Sequence, residues 1–434
     1  MKAGWSNTVI TPPIGAPMAG FASRKGVSRG VHDHLYARAL LCDGGEGLAG
    51  IVTADVVGFP EWIVEKIRIK AHENIGIDPS GLIIAATHNH SGPALTEGYG
   101  GFGTVKSEYA ETLIDHITGI LISAHHTMKP VTAGTGKSVI SGVGTNRRTA
   151  DGLPVDPELG AIRFFPEDNS GSLVLINYTC HAVVLGPDNL LFSADYPGYA
   201  VKTAENILGA GTQTMFTNGA AGDVNTGHSA DLSALGYPIP GRTFQRASRL
   251  GRIVGSGAAG LAESLESEDD GTVRFTNRKV KLPGKNLPSL NTAQEELEAA
   301  KRQLKDHENS GKSEEELIKP RVRELYARLL VKNIRKSGSK REKEIEIEVQ
   351  AVRIGSSVYI AIPLELFVSI GLRIKSTSLP GSIFIVGYAN GSSGYMPSRE
   401  AYGEGGYEPV SSKFSPDAVE ILEREMISAA SALF

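Results

Sequence analysis

The chain has 434 residues, 41% hydrophobic and 21% charged, which suits a sizeable core and argues against disorder. Its 44 basic and 48 acidic residues leave a formal charge of −4, so no overall positive field exists to hold nucleic acid or an anionic bilayer. Two cysteines, Cys42 and Cys180, exclude a disulfide scaffold; Met1–Asn7 lacks a signal-peptide core, and no run approaches the ~18 apolar residues of a membrane span. The expectation is a cytoplasmic protein without stable membrane association, acting on a small molecule, with a homo-oligomer left open.

In chain order, Leu48–Ala54 reads as a buried strand, Glu61–Asn74 as a helix and Gly81–Ala86 as a second buried strand. Lys106–Met128 has the spacing of a long amphipathic helix. A strand at Ser172–Tyr178, a helix at Tyr196–Ile207 and a short strand at Thr214–Thr217 follow. This alternation predicts an α/β fold, a mixed sheet core with flanking helices, in one domain over residues 1–434.

Residues 291–343 differ, being densely charged. Leu297, Ala300 and Leu304, then Ile318, Val322, Leu325 and Leu329, recur at helical spacing. They predict a charged helical-hairpin insertion broken at Asn309-Ser310-Gly311, a solvated arm rather than a coiled coil. Glu344–Ile354 and Ser357–Ile362 then read as a hairpin turning at Gly355, Ile383–Tyr388 as a strand, and Pro416–Leu433 as a C-terminal helix.

Three tempting motifs are set aside. Gly134-Thr135-Gly136-Lys137-Ser138 resembles the end of a phosphate loop, but Val131 stands where the first glycine belongs, so a surface turn is expected. Gly26-Val27-Ser28-Arg29-Gly30 spells a nucleophile elbow without the buried strand that must precede it. Cys180, without a CxxC partner, reads as a small core residue.

The 11 histidines include a more informative set. His88 and His90 follow the second strand in Thr87-His88-Asn89-His90-Ser91-Gly92-Pro93, and in extended chain residues two apart share a side. His181 follows the third strand, before the turn at Gly186-Pro187. Strand C-terminal ends are where open α/β sheets bind ligands. Glu365 comes just after Pro363, which is expected to open a helix with the carboxylate in its first turn. Dipole complementation is the plain explanation of that carboxylate; the functional one is an anionic ligand to a cation held by two histidines, a recurring catalytic zinc set.

These residues carry a resemblance to the N-terminal catalytic domain of the neutral/alkaline, non-lysosomal ceramidases. Thr87–Pro93 is the most specific segment, and Met18–Phe21, His34–Ala39, Ser193–Tyr199 and Asn218–Val224 resemble others. The resemblance implies one catalytic zinc held by His88, His181, Glu365 and Tyr395. It implies that His90 lies beside the metal and shuttles a proton to the leaving amine, and that Arg147 and Tyr407 contact the scissile carbonyl or its oxyanion. Zinc would supply activated water. Asp195 or Asp223 is a further candidate, to orient a ligand imidazole.

The sequence also departs from the family pattern. Asn89 replaces a commoner threonine, and Leu364-Glu365 replaces Gly-Glu. Lipid-facing members carry a signal sequence and a further C-terminal β-domain, neither of which is read here. The expectation is therefore zinc-dependent cleavage of an amide (N-acyl) bond in a small polar compound rather than ceramide. The alternatives are a carbohydrate-active lyase or hydrolase on the same metal scaffold, and a non-catalytic zinc-binding protein. Arginine and polar residues around the metal would favour a polar substrate, and an apolar channel would favour acyl chains.

Overall fold

The computed structural model describes residues 1–95, 107–148, 154–168, 170–337 and 344–434. Two sheets organise it. The larger contains β1 (Lys2–Val9), β2 (Tyr36–Asp43), β3 (Leu48–Ala54), β4 (Leu82–Ala86), β5 (Lys129–Val139), β6 (Glu158–Pro166), β7 (Leu173–Tyr178) and β8 (Gln213–Asn218). Their order is β8-β7-β6-β5-β1-β2-β3-β4, with only the two edge pairs, β3–β4 and β7–β8, parallel. The second sheet is β9 (Val273–Pro283), β10 (Glu344–Ile354), β11 (Ser357–Ala361) and β12 (Ser382–Val386), in that order. The β10–β11 hairpin turns at Gly355, whose φ of 56° suits glycine.

Pleating explains why the strands read as continuous apolar runs. Ile51, Ile83, Ala85, Leu173 and Leu175 face Val352, Tyr359, Phe384 and Val386 of the second sheet. Their neighbours Val52, Leu82 and Ile84 face α1 (Glu61–Ile75) and α2 (Ser107–His126), through Ile63, Ile67, Leu113 and Ile114. Val174 and Ile176 face α3 (Asp195–Leu208) and α4 (Phe244–Ser264). The far side of the second sheet is covered by the C-terminal helix Ala418–Ser431, through Leu422 and Met426. The layers run helix, sheet, sheet, helix, and strands buried on both faces lose the polar alternation of a half-exposed sheet. Each Ile or Leu so buried contributes roughly 1.5–3 kcal/mol.

Helix boundaries have local causes. α1 follows Pro60 and stops at Gly76, whose φ of 68° lets its N–H return to the His72 carbonyl. α4, not recognised from the sequence, is capped by Thr243, whose hydroxyl accepts the Arg246 N–H. It packs a small-residue face on α3: a Cβ on Gly255 would lie 2.4 Å from the Ala200 carbonyl oxygen.

The charged insertion is two helices, Leu290–Asn309 and Glu314–Ser337, separated at Ser310-Gly311; the last positions of 291–343 lie outside the described residues. Two expectations fail. Gly134–Ser138 is the interior of β5, not a turn; Gly134 and Gly136 lack side chains because Leu265 and Glu266 press on that strand. Pro363 opens no helix: Glu365–Leu366 pairs in parallel with Tyr395–Met396, and the helix begins at Val368. Among the described residues no helix is long and apolar enough to cross a membrane.

Candidate metal-centred active site

The site forms where segments leave the strand ends. β4 ends at Ala86, and His88 takes a φ of 62°, a conformation non-glycine residues adopt at a cost of about 1–3 kcal/mol. His88 and His90 do converge, with Nε2 atoms 3.1 Å apart, but this kink brings them together rather than extended-chain alternation. The His88 ring stacks on Tyr388, itself at φ 57°, with centroids 3.8 Å apart. Strained backbone therefore concentrates at the site.

His181 enters from the end of β7 and is fully buried. Cys180 packs in the core beside Tyr178 and Phe216. The Nε2 of His181 lies 3.1 Å from Glu365 Oε2, and that of His88 lies 3.4 Å from the same oxygen. The three histidines bring ligand atoms within 4.8 Å of one another. The bridge pairing Glu365 with Tyr395 places both side chains at one locus.

Tautomers decide what this cluster can hold. His88 Nδ1 is 2.6 Å from the Val57 carbonyl oxygen, and His181 Nδ1 contacts those of Ala221 and Val224. Carbonyls only accept, so both Nδ1 atoms carry the proton and both Nε2 atoms present lone pairs. Those lone pairs face a carboxylate oxygen. Three acceptors at hydrogen-bond distance need a shared proton or a metal cation between them, and two imidazoles with a carboxylate are a zinc-type donor set. The donor set therefore fits the metal implied by the sequence. His90 is different: its Nδ1 is buried without a partner, so no carbonyl fixes its tautomer.

Electrostatics agree with neutral imidazoles. Burial, and then the Arg147 charge, push His181 down to about 4. Burial and the neighbouring His88 and His181 hold His90 well below the ordinary imidazole range. Burial alone would raise Glu365; positive charge at the His88 and His181 positions holds it well below the usual carboxylate range, so with both rings neutral a cation at that point must supply that charge.

Neither candidate aspartate touches an imidazole. Asp195 accepts the N–H groups of Val184, Leu185 and Tyr196. Asp223 caps the helix at Val368 N–H, 2.8 Å away, and accepts from Asn146. Backbone carbonyls orient the rings instead, a role invisible in residue identities.

Arg147, of which the side chain is 5% exposed, donates from Nε to Glu408 at 2.8 Å and from Nη2 to the Gly222 carbonyl and the Tyr395 hydroxyl at 2.8 and 3.1 Å. The Tyr407 ring stands edge-on to Tyr395, with centroids 5.9 Å apart. All seven sequence-derived positions thus fall in one connected cluster. Glu408, which also takes Arg148 at 3.0 Å, and Tyr388 were missed; their sequence contexts carry no signal beyond Glu408 adjoining Tyr407.

A two-sheet α/β fold thus carries a His/Glu donor cluster at the ends of its strands. Comparison with known proteins places the chain in a family. The family model described as neutral/alkaline non-lysosomal ceramidase, N-terminal, matches residues 2–233, more than half of the chain. The chain belongs to the neutral/alkaline non-lysosomal ceramidase family. It is 24% identical over 350 residues to a neutral ceramidase of Drosophila melanogaster, covering 67% of this chain and 49% of that one. It is 22% identical over 221 residues to neutral ceramidase 2 of Arabidopsis thaliana, covering 46% of this chain and 29% of that one. The chain thus spans about half the length of its fly relative and less of the plant one. The neutral ceramidase structure from Pseudomonas aeruginosa superposes with a TM-score of 0.76 at 19% identity, over 100% of this chain and 74% of that one. At that identity the match shows a shared fold.

Proposed function

We propose that this chain is a zinc-dependent hydrolase of amide (N-acyl) bonds, with His88, His181, Glu365 and Tyr395 as the metal ligands. The observation that carries this is the inward-facing trio of acceptors, the Nε2 atoms of His88 and His181 and Oε2 of Glu365, with both Nδ1 protons committed to carbonyls. Membership in a ceramidase family, whose relatives are neutral ceramidases, supports the bond type. A bound zinc would supply Lewis-acid polarisation and acidified water.

The residues of the chain do the rest. His90, with an unfixed tautomer, takes and returns a proton at Nε2 and delivers it to the departing amine, whose expulsion needs one. Arg147 holds the Tyr395 hydroxyl through Nη2 and brings its positive charge to the oxygen of the scissile carbonyl. Tyr407 closes the same side against Tyr395. A well-placed donor to an oxyanion is worth roughly 2.7–4 kcal/mol.

The test is metal content together with hydrolysis of N-acyl compounds, before and after chelation. Loss of activity with the chelator and its return with zinc are expected; full activity in metal-free protein would refute the reading.

A further inference from the structure

The wall beside His90 collects positive charge and unpaired donors. Nine buried side-chain nitrogen or oxygen atoms lack a hydrogen-bond partner among the described residues, and five of them belong to Arg24, His90, His228 and Arg242. Phe21 ties His90, Arg24 and Arg242 together. Its ring meets His90 edge-on with centroids 5.1 Å apart, and the guanidinium carbons of Arg24 and Arg242 lie 5.1 and 5.3 Å from its centre. The cluster therefore stands one aromatic ring away from His90.

The members have different tasks. Arg24, 1% exposed, is structural: it donates to the carbonyls of Ala19 and His90. Arg246 is committed to the Thr226 carbonyl. Arg242 donates only from Nη2, to the Ser233 hydroxyl at 2.5 Å, and its Nε and Nη1 are buried and bare. His228 Nε2 is bare as well. Burial, then the charges of Arg242, Arg147, His181 and Arg246, push His228 down to about 2, so it is a neutral ring among cations.

Resident acids do not account for these donors. Asp195 spends its carboxylate on three backbone N–H groups. Asp188 acts on Arg24 and Arg242 through space but leaves Arg24 Nε and Arg242 Nε and Nη1 unpaired. A buried donor without a partner costs about 1–3 kcal/mol, more when charged. An arginine kept this way beside a reaction centre is poised for an anion from outside the chain.

We propose that Arg242 is a specificity determinant that receives an anionic group of the substrate, so that the compounds cleaved are N-acyl derivatives bearing a carboxylate or phosphate. This rests on the reading of the centre as an N-acyl hydrolase. A neutral long-chain amide would leave Nε and Nη1 of Arg242 bare; an anion would satisfy them.

The experiment is calorimetric binding to the zinc-loaded full chain. N-acetylglycine and succinamate place a carboxylate on the amine and acyl sides of an amide, and N-acetylglycinamide and succinamide are their neutral counterparts. At least one charged probe is expected to bind tenfold or more tighter than its counterpart. Arg242→Met should abolish that preference, and Arg242→Lys should keep part of it, with thermal melts confirming that both variants fold. Inorganic phosphate that competes and binds tighter than either carboxylate would support the anion site and name a phosphate as its source. Equal binding of charged and neutral probes would overturn the proposal, as would a preference unchanged in Arg242→Met. Arg242-dependent binding without hydrolysis of any N-acyl compound would sink the hydrolase reading alone; hydrolysis without anion preference would sink the anion site alone.

Discussion

Replacing Arg147 by methionine tests both the packing and the chemistry of the site. Arg147 and Glu408 are 5% and 3% exposed, so the substitution leaves a buried carboxylate short of one partner. Breaking a buried pair costs about 3–5 kcal/mol; Arg148 still contacts Glu408 at 3.0 Å, which places the loss near ~3 kcal/mol. The unfolding entropy of a chain this long is about 0.9 kcal/mol per kelvin, so Tm should fall by roughly 3 °C. Arg147→Lys should not rescue it, because a point charge cannot reach Glu408, Gly222 and Tyr395 together. Hydrolysis should fall by about 10²–10³-fold in kcat, the cost of one oxyanion donor. Glu408→Gln should reproduce the Tm loss with a smaller loss of kcat. Scanning calorimetry and steady-state kinetics on the three variants decide the matter. Arg147→Met with an unchanged Tm and kcat would refute the account of Arg147.

Three further outcomes follow from the same geometry. His88→Ala should abolish bound zinc, whereas His90→Ala should keep the metal and lose turnover; metal analysis of both variants checks this, and the reverse pattern would exchange their roles. In metal-free protein His181 falls from an ordinary 6.5 to about 4, so below pH 6.5 the unfolded chain binds the extra proton and stability drops as pH falls towards 4. Urea midpoints that stay level from pH 7 to 5 under chelation would contradict this. Gly255→Ala puts a methyl 2.4 Å from the Ala200 carbonyl oxygen and should cost about 1–3 kcal/mol by overpacking, read as a lower urea midpoint with an unchanged slope.

Sequence reasoning succeeded where the signal is local. β3, β4 and β7 are apolar runs bounded by turn residues, and these, β8 and the β10–β11 hairpin were each placed within a residue or two. It failed where the reason for a residue lies elsewhere in the chain. The glycines of β5 look like a turn because the segment pressing on them is more than a hundred residues away. Glu365 looks like a helix start because its partner, Tyr395, is thirty residues on. α4 was missed because its buried face is built from alanines and glycines, whose role is close approach to α3 and not apolar bulk.

The same division holds at the active centre. Residue identities alone established which donors were available, two histidines near strand ends and a carboxylate near another, because imidazole and carboxylate chemistry belongs to the side chain itself. Folding decided which atoms face inward. The Val57 and Ala221 carbonyls take the Nδ1 protons and so turn both Nε2 lone pairs toward Glu365. Every residue type has a carbonyl, so no reading of residue types could have found that orientation; it exists only once the chain has closed around the site.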